Sequence, residues 1–314
     1  MATAVGARIL PYIVPNLVAG IRKRWAQGGA PLNIIICENL MDANKILEKM
    51  LKDQLTAEEQ AKFDETIGLV EASIGRMVPV QTEDMKDGDP MRVCVEEYGY
   101  LPVDKEAFKG DIPALKNMVP FEPFDFYIKR KLYIHNMGHA VCAYLGDILD
   151  LAYIWESIDN ADVRILVQNA MLESAMALSK KYGVALSEIQ LHITDLLYRF
   201  TNAALKDTCQ RVGGDPARKL SPEDRLIGSA KLALAEGICP AYIAAGAAAG
   251  VCRYIAENGS TAEEVLADVA KLSSEEPLYQ LILSFYEMLK NGCSIAELRR
   301  AADTKKHESL NNVI

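Results

Sequence analysis

Between Ile9 and Arg24 apolar residues recur at helical spacing, interrupted by Pro11 and Pro15, and the run stops at the turn signal Gln27-Gly28-Gly29. The pattern predicts a helix of a few turns. Leu32-Asn33-Ile34-Ile35-Ile36-Cys37 follows, a short β-branched run that suits a strand buried on both faces. A second helix is predicted over Asp42 to Leu51. Helix, buried strand and helix in quick succession are the grammar of a parallel α/β sheet. Ile74 to Val80 and Met91 to Glu96 read as further strands flanking the loop Asp84 to Pro90.

After Phe121-Glu122-Pro123 the character changes. From Asp125 onward the periodicity predicts one helix after another, over about 125–147, 150–159, 162–182, 186–199, 222–236, 240–257, 261–272, 275–290 and 294–302. The expected fold class is therefore α/β plus all-α. An incomplete Rossmann-like parallel-sheet domain is expected over residues 1–112, and a multi-helix domain over residues 113–314. A dinucleotide-binding domain ordinarily opens with a strand, a Gly-x-Gly-x-x-Gly turn and a helix whose N-terminus holds the pyrophosphate. No two glycines of this sequence are separated by one residue, so that fingerprint is absent. The first half is accordingly expected to be the later part of such a domain, with an exposed edge strand that invites self-association.

Half of the residues are hydrophobic and a quarter are charged, the balance of a soluble globular chain. A formal net charge of -9 leaves no general footprint for nucleic acid or anionic membrane, so an anionic ligand requires a local basic cluster. Seven scattered cysteines with no Cys-x-x-Cys pair suggest a reducing compartment, by default the cytoplasm. No apolar run reaches the ~18 residues of a membrane span, and the N-terminus lacks the pattern of a signal peptide.

The most informative segment is Lys129-Arg130-Lys131-Leu132-Tyr133-Ile134-His135-Asn136-Met137-Gly138-His139-Ala140. At about 100° per residue, His135, His139 and Asn136 fall roughly 40°, 80° and 140° from Lys131, so four polar side chains share less than half the circumference. Such a stripe faces either water or a polar cavity. A solvated basic face is the plain reading. A metal pair at His135 and His139 is another, although the glutamate of His-Glu-x-x-His is missing and only His192 and His307 remain as further histidines.

The third reading is a dehydrogenase site. Lys131, Asn136 and His139 match the Lys-x4-Asn-x2-His signature of the polyol-specific long-chain dehydrogenases, and collinear segments resemble the mannitol-1-phosphate branch of that family. Among them are Ala2-Thr3-Ala4-Val5-Gly6, Cys37-Glu38-Asn39, Val103-Asp104-Lys105, Arg199-Phe200-Thr201-Asn202 and Arg218-Lys219-Leu220-Ser221. The resemblance implies NAD(H)-dependent, metal-independent interconversion of mannitol 1-phosphate and fructose 6-phosphate. It assigns Lys131 as general acid/base, Asn136 and Asn39 as donors to the developing alkoxide, and His139 as the group that orients a substrate hydroxyl. Arg211, Arg218, Lys219 and Arg225 become candidates for the sugar phosphate. Thr3, Val5, Gly6 and Asn39 fall on the cofactor side. On the residues alone, Asn39 reads equally as a helix N-cap, and the four cations as a solvated face. Where the family usually has Val-Asp-Arg this chain has Ile74-Gly75-Arg76, which removes an acidic residue from the neighbourhood of the site. A hexuronate or free-polyol dehydrogenase is the alternative within the family. A catalytically silent remnant that does not bind NAD, or a misplaced gene start, is the alternative outside it.

Overall fold

The computed structural model describes residues 1–311 apart from Asn39 and Met41. Two compact units divide the chain, one of residues 1–76 and 97–128, the other of residues 77–96 and 129–314. The excursion 77–96 belongs to the second unit, which a single cut at residue 112 does not anticipate.

In the first unit strands β1 (Ala2–Thr3), β2 (Leu32–Ile36) and β3 (Ile67–Glu71) form a parallel sheet in the order β1-β2-β3. Strands β4 (Leu101–Asp104) and β5 (Met118–Phe121) pair in parallel as a second sheet. Parallel strands need crossovers, and helices supply them. Leu10–Ala26 lies between β1 and β2, and Ala43–Lys52 and Ala57–Thr66 lie between β2 and β3. Leu10, Val14, Val18 and Ile21 of the first helix and Ala43, Leu47 and Leu51 of the second are buried at helical spacing, in one cluster with Ile34 and Ile36 of β2. Pro11 sits in the first turn, where its missing N–H costs nothing.

Two expected strands are absent. Residues 74–80 and 91–96 form no sheet, and Val80 and Met91 are 75% and 84% exposed. The apolar alternation is present there, but no neighbouring strand covers it. Side chains hold this segment instead. Gln81 Nε2 donates to the Cys94 carbonyl at 2.9 Å, and Cys94 N donates back to Gln81 Oε1 at 2.7 Å. The helix Ala57–Thr66 was not expected. It buries only Phe63, so its apolar periodicity is faint, and it is fixed by a capping box between Thr56 and Glu59.

The second unit is helical, and most of the expected helices form within a few residues of their predicted ends. Asp125–Arg130, Lys131–Asn136 and Met137–Ile148 run on without a break, the middle segment as a π-helix. Helix Ala241–Asn258 packs against Met137–Ile148, Ala161–Tyr182, Pro277–Lys290 and Ile295–Asn311. Its Ala-rich sequence lets neighbours approach closely. A Cβ on Gly246 would stand 2.4 Å from Val141 Cγ2 and 2.8 Å from Val141 Cγ1. Because Val is stiff at χ1, Gly246→Ala is expected to destabilise the fold by about 1–3 kcal/mol, read as a lower midpoint in chemical denaturation.

One charged group is fully buried between these helices. The Glu173 carboxylate accepts the N–H groups of Tyr242 and Ile243 at the start of Ala241–Asn258, and Lys306 Nζ lies 3.0 Å from it. Lys306 also donates to the Cys239 carbonyl at 2.6 Å, which ties the last helix to the bundle. Burial outweighs these partners and raises the Glu173 pKa from 4.5 to about 7. The folded state therefore binds the extra proton between those values, and stability from this group is fullest below about 4.5 and lost as pH rises to about 7. The stability difference between the native chain and Glu173→Gln should shrink by about 3 kcal/mol over that window, measured by urea unfolding at each pH.

Candidate active site

The polar stripe identified in the sequence lies on the π-helical turn Lys131–Asn136 and the first turn of the helix that follows it. In an α-helix residues five apart diverge, whereas the i→i+5 bonding of a π turn draws them together. Lys131 and Asn136 stand at the two ends of that turn, and the angle between them is narrower than ordinary periodicity implies. The stripe is not a solvated face. His135 is 7% exposed, and Lys131, Asn136 and His139 are all partly buried.

Burial governs the protonation of these groups. The Lys131 ammonium is pushed below its usual pKa by desolvation and then by the nearby Arg225 guanidinium. His139 is lowered to about 3 by desolvation and then by Arg211, Arg225, Lys219 and Arg199, so its imidazole is neutral at any working pH. His135 is likewise depressed, by burial first and then by His139 and Arg199. The His139 ring stacks on Phe200 at 4.9 Å between centroids with 17° between planes. Its Nε2 lies 3.5 Å from Asp207 Oδ2, too far for a hydrogen bond, and finds no other partner among the described residues. His139 lines a narrow crevice together with Met77, Trp155, Phe200 and Asp207 among others. A neutral imidazole with an unspent nitrogen beside a crevice is suited to hydrogen-bond a hydroxyl.

Of the four expected cations, Arg211, Arg225 and Lys219 stand near His139 and Arg218 stands beside Lys219, and the structure sorts them into two kinds. Arg211 and Arg218 have side chains 57% and 53% exposed and are engaged by carboxylates, Arg211 by Asp207 and Arg218 by Asp215 and Asp224. Arg225 and Lys219 lie deeper. Arg225 Nε donates to Asp224 Oδ1 at 2.7 Å. Lys219 is 5% exposed, and among the described residues its ammonium makes neither a hydrogen bond nor an ion pair. Desolvation, Arg225 and Arg218 lower its pKa to about 8. Arg225 acts on Lys131, His139 and Lys219 alike, so these groups share one field of positive charge.

Sequence reasoning missed several of the groups gathered here. Phe200 belongs to the family-like segment Arg199-Phe200-Thr201-Asn202 without a role of its own there, and Asp207 has none in the sequence either. Glu96 and Arg199 form a buried ion pair across 103 residues of chain, with Arg199 Nε to Glu96 Oε2 at 2.9 Å and Nη2 to Oε1 at 2.5 Å. Nothing local in the sequence marks that pairing.

The residues expected on the cofactor side belong to the first unit. Thr3, at the end of β1, is buried, and its Oγ1 has no partner among the described residues. Val5 N and Gly6 N do not stand open. They donate to Glu38 Oε1 at 3.0 Å and Oε2 at 2.8 Å. Asn39, expected both to donate to the substrate and to touch the cofactor, lies outside the described residues. No group of three or more His, Cys, Asp or Glu side chains among the described residues is arranged to hold a metal ion. No helix among them is long and apolar enough to cross a membrane.

Comparison with known proteins matches both units. Residues 1–117 match the mannitol dehydrogenase Rossmann domain, and residues 124–299 match the mannitol dehydrogenase C-terminal domain. The chain is 36% identical to the mannitol-1-phosphate 5-dehydrogenase of Bacillus subtilis over 292 residues, covering 90% of this chain and 76% of that protein. It is 34% identical to the protein of the same name from Bacillus velezensis over the same shares. Among solved structures, a D-sorbitol dehydrogenase in substrate-free form superposes with a TM-score of 0.73 at 16% identity, over 94% of this chain and 68% of that one. Pseudomonas fluorescens mannitol 2-dehydrogenase, in a ternary complex with NAD and D-mannitol, gives 0.68 at 16% identity over 93% and 66%. The structural likeness carries the fold and the sequence matches carry the kinship: this chain belongs to the mannitol dehydrogenase family.

Proposed function

We propose that the protein is a cytoplasmic NAD(H)-dependent oxidoreductase that interconverts mannitol 1-phosphate and fructose 6-phosphate without a metal ion, using Lys131 as general acid/base. The observation that carries the phosphorylated substrate is Lys219, a side chain 5% exposed that forms no ion pair among the described residues, beside Arg225 and Arg218 and with Asp215 and Asp224 acting on it only from a distance. A phosphate dianion satisfies such a group, whereas an uncharged polyol leaves it unpaired.

The buried Thr3 hydroxyl suits a cofactor contact, since it lies at the carboxyl end of a parallel strand, where α/β sheets hold their ligands. When bound, NAD supplies the hydride acceptor. The remaining work falls to this chain's own residues. During polyol oxidation Lys131 Nζ takes the proton of the hydroxyl at the reacting carbon, and in the reverse direction it returns that proton to the carbonyl oxygen. Burial and then Arg225 lower its pKa, which favours release of the ammonium proton that this requires. The Asn136 amide donates to the same oxygen as negative charge develops on it. His139, neutral throughout, orients a neighbouring hydroxyl.

A second reading, in which the chain binds a sugar phosphate without turnover, is favoured by one observation: Glu38 already occupies the amides of Val5 and Gly6. Fluorescence titration with NADH separates the two, because micromolar binding supports catalysis and its absence supports the silent form. NADH oxidation assayed with fructose 6-phosphate, fructose, fructuronate and tagaturonate then tests the substrate. Turnover restricted to an unphosphorylated sugar would sink the proposed specificity.

Lys131→Met is expected to lower kcat by about 100- to 10,000-fold, with sugar phosphate binding retained. Arg225→Gln removes a positive neighbour, so the alkaline rise of polyol oxidation should move to higher pH as the Lys131 pKa recovers toward its usual value. For Lys219 the charge is lost as pH climbs past about 8, and the KM for fructose 6-phosphate should rise there in the native chain. A Lys219→Gln variant should show a raised KM that no longer changes across that range.

A further inference from the structure

We propose that Glu96 is a positioning residue that holds two walls of the crevice over His139, Met77 and Phe200, from a single carboxylate; the inference rests on reading that crevice as the active site. The Glu96 side chain is 4% exposed. Its Oε1 accepts the Met77 backbone N–H at 2.5 Å and Arg199 Nη2 at 2.5 Å, and its Oε2 accepts Arg199 Nε at 2.9 Å. Met77 lines the crevice directly. Arg199 precedes Phe200, whose ring lies flat on His139. One buried carboxylate thus fixes the entry of the 77–96 excursion on one side and the end of helix Leu186–Phe200 on the other.

The surroundings point to geometry as the purpose of this pair. The 77–96 segment has no sheet neighbours, and Glu96 joins its two ends to each other and to Arg199. A bidentate carboxylate–guanidinium pair fixes angle as well as distance. A buried ion pair is by itself weak evidence for stability, since its desolvation cost rivals its attraction. Asp195, one turn earlier on the same helix, accepts from the remaining terminal nitrogen of Arg199 at 3.3 Å. Loss of Glu96 therefore frees Met77 and lets Phe200 shift against His139, while Lys131, Asn136 and Lys219 stay where they are.

Trp155 lines the same crevice and provides a readout independent of turnover. The chain contains two tryptophans, so Trp25→Phe leaves Trp155 as sole reporter. In that background, acrylamide quenching of Trp155 and the KM for fructose 6-phosphate are measured for the parent, Glu96→Gln and Gly246→Ala, each well below its own Tm. Glu96→Gln should raise KM by about 10-fold or more and increase quenching, whereas Gly246→Ala, destabilised in the core, should change neither. If Glu96→Gln does not fold, Arg199→Lys keeps the charge, loses the bidentate geometry and is expected to behave in the same way. With an active parent, the proposal is overturned when KM or quenching stays within about twofold of the parent, or when Gly246→Ala reproduces both changes. A parent that turns over none of the four sugars refutes the reading of the site instead, and quenching alone then decides whether Glu96 sets the crevice.

Discussion

Positive charge placed where water is scarce is the constraint on which the helical unit depends. Moving an ammonium or guanidinium out of water costs several kcal/mol unless an anion stands beside it. Around His139 the chain supplies too few anions for its cations. Arg211, Arg218 and Arg225 pair with Asp207, Asp215 and Asp224, whereas Lys219 forms no ion pair among the described residues and feels Asp215 and Asp224 only from a distance. Burial, and then these cations, lower the pKa of His139, Lys131 and Lys219. His139 is thereby neutral at any working pH, and the Lys131 ammonium holds its proton less firmly than an exposed one. An overall acidic chain has concentrated an electropositive interior in one place, as a small anionic ligand requires.

The scaffold makes that concentration tolerable. Helices Met137–Ile148 and Ala241–Asn258 approach closely through Gly246 and Val141, and Arg253 Nη1 joins Asp147 Oδ2 at 2.8 Å across the same interface. The π turn precedes that packed helix and carries Lys131 and Asn136 at its two ends. A single extra residue's worth of winding is costly in isolation, and π turns recur at functional sites because packing elsewhere sustains them.

How much of this was legible in the sequence depended on whether the physics was local. Long helices announce themselves because one face must be apolar over several turns, and Ala161–Tyr182 and Pro277–Lys290 were readable for that reason. Helix Ala57–Thr66 was not, since it commits a single residue to the core. The runs at 74–80 and 91–96 carried a strand's composition without a strand's neighbours. In the site, Lys131, Asn136 and His139 were legible through a family signature, yet the π turn that brings the first two together was invisible to a calculation that assumes uniform winding. The Glu96–Arg199 pair and the grip of Glu38 on Val5 and Gly6 join residues remote in sequence. Periodicity says nothing about such pairs.

The buried carboxylate at Glu173 has a consequence for the evolutionary record of this fold. Lys306 reaches it from 133 residues away and also holds the Cys239 carbonyl. Losing the lysine alone strands an ion in the core, and losing the carboxylate alone leaves an ammonium and two helix-terminal amides without their acceptor. Replacing both with apolar side chains of similar bulk is far less costly than replacing either. Positions 173 and 306 should therefore drift as a couple among relatives, both charged or both neutral, with few lineages caught between.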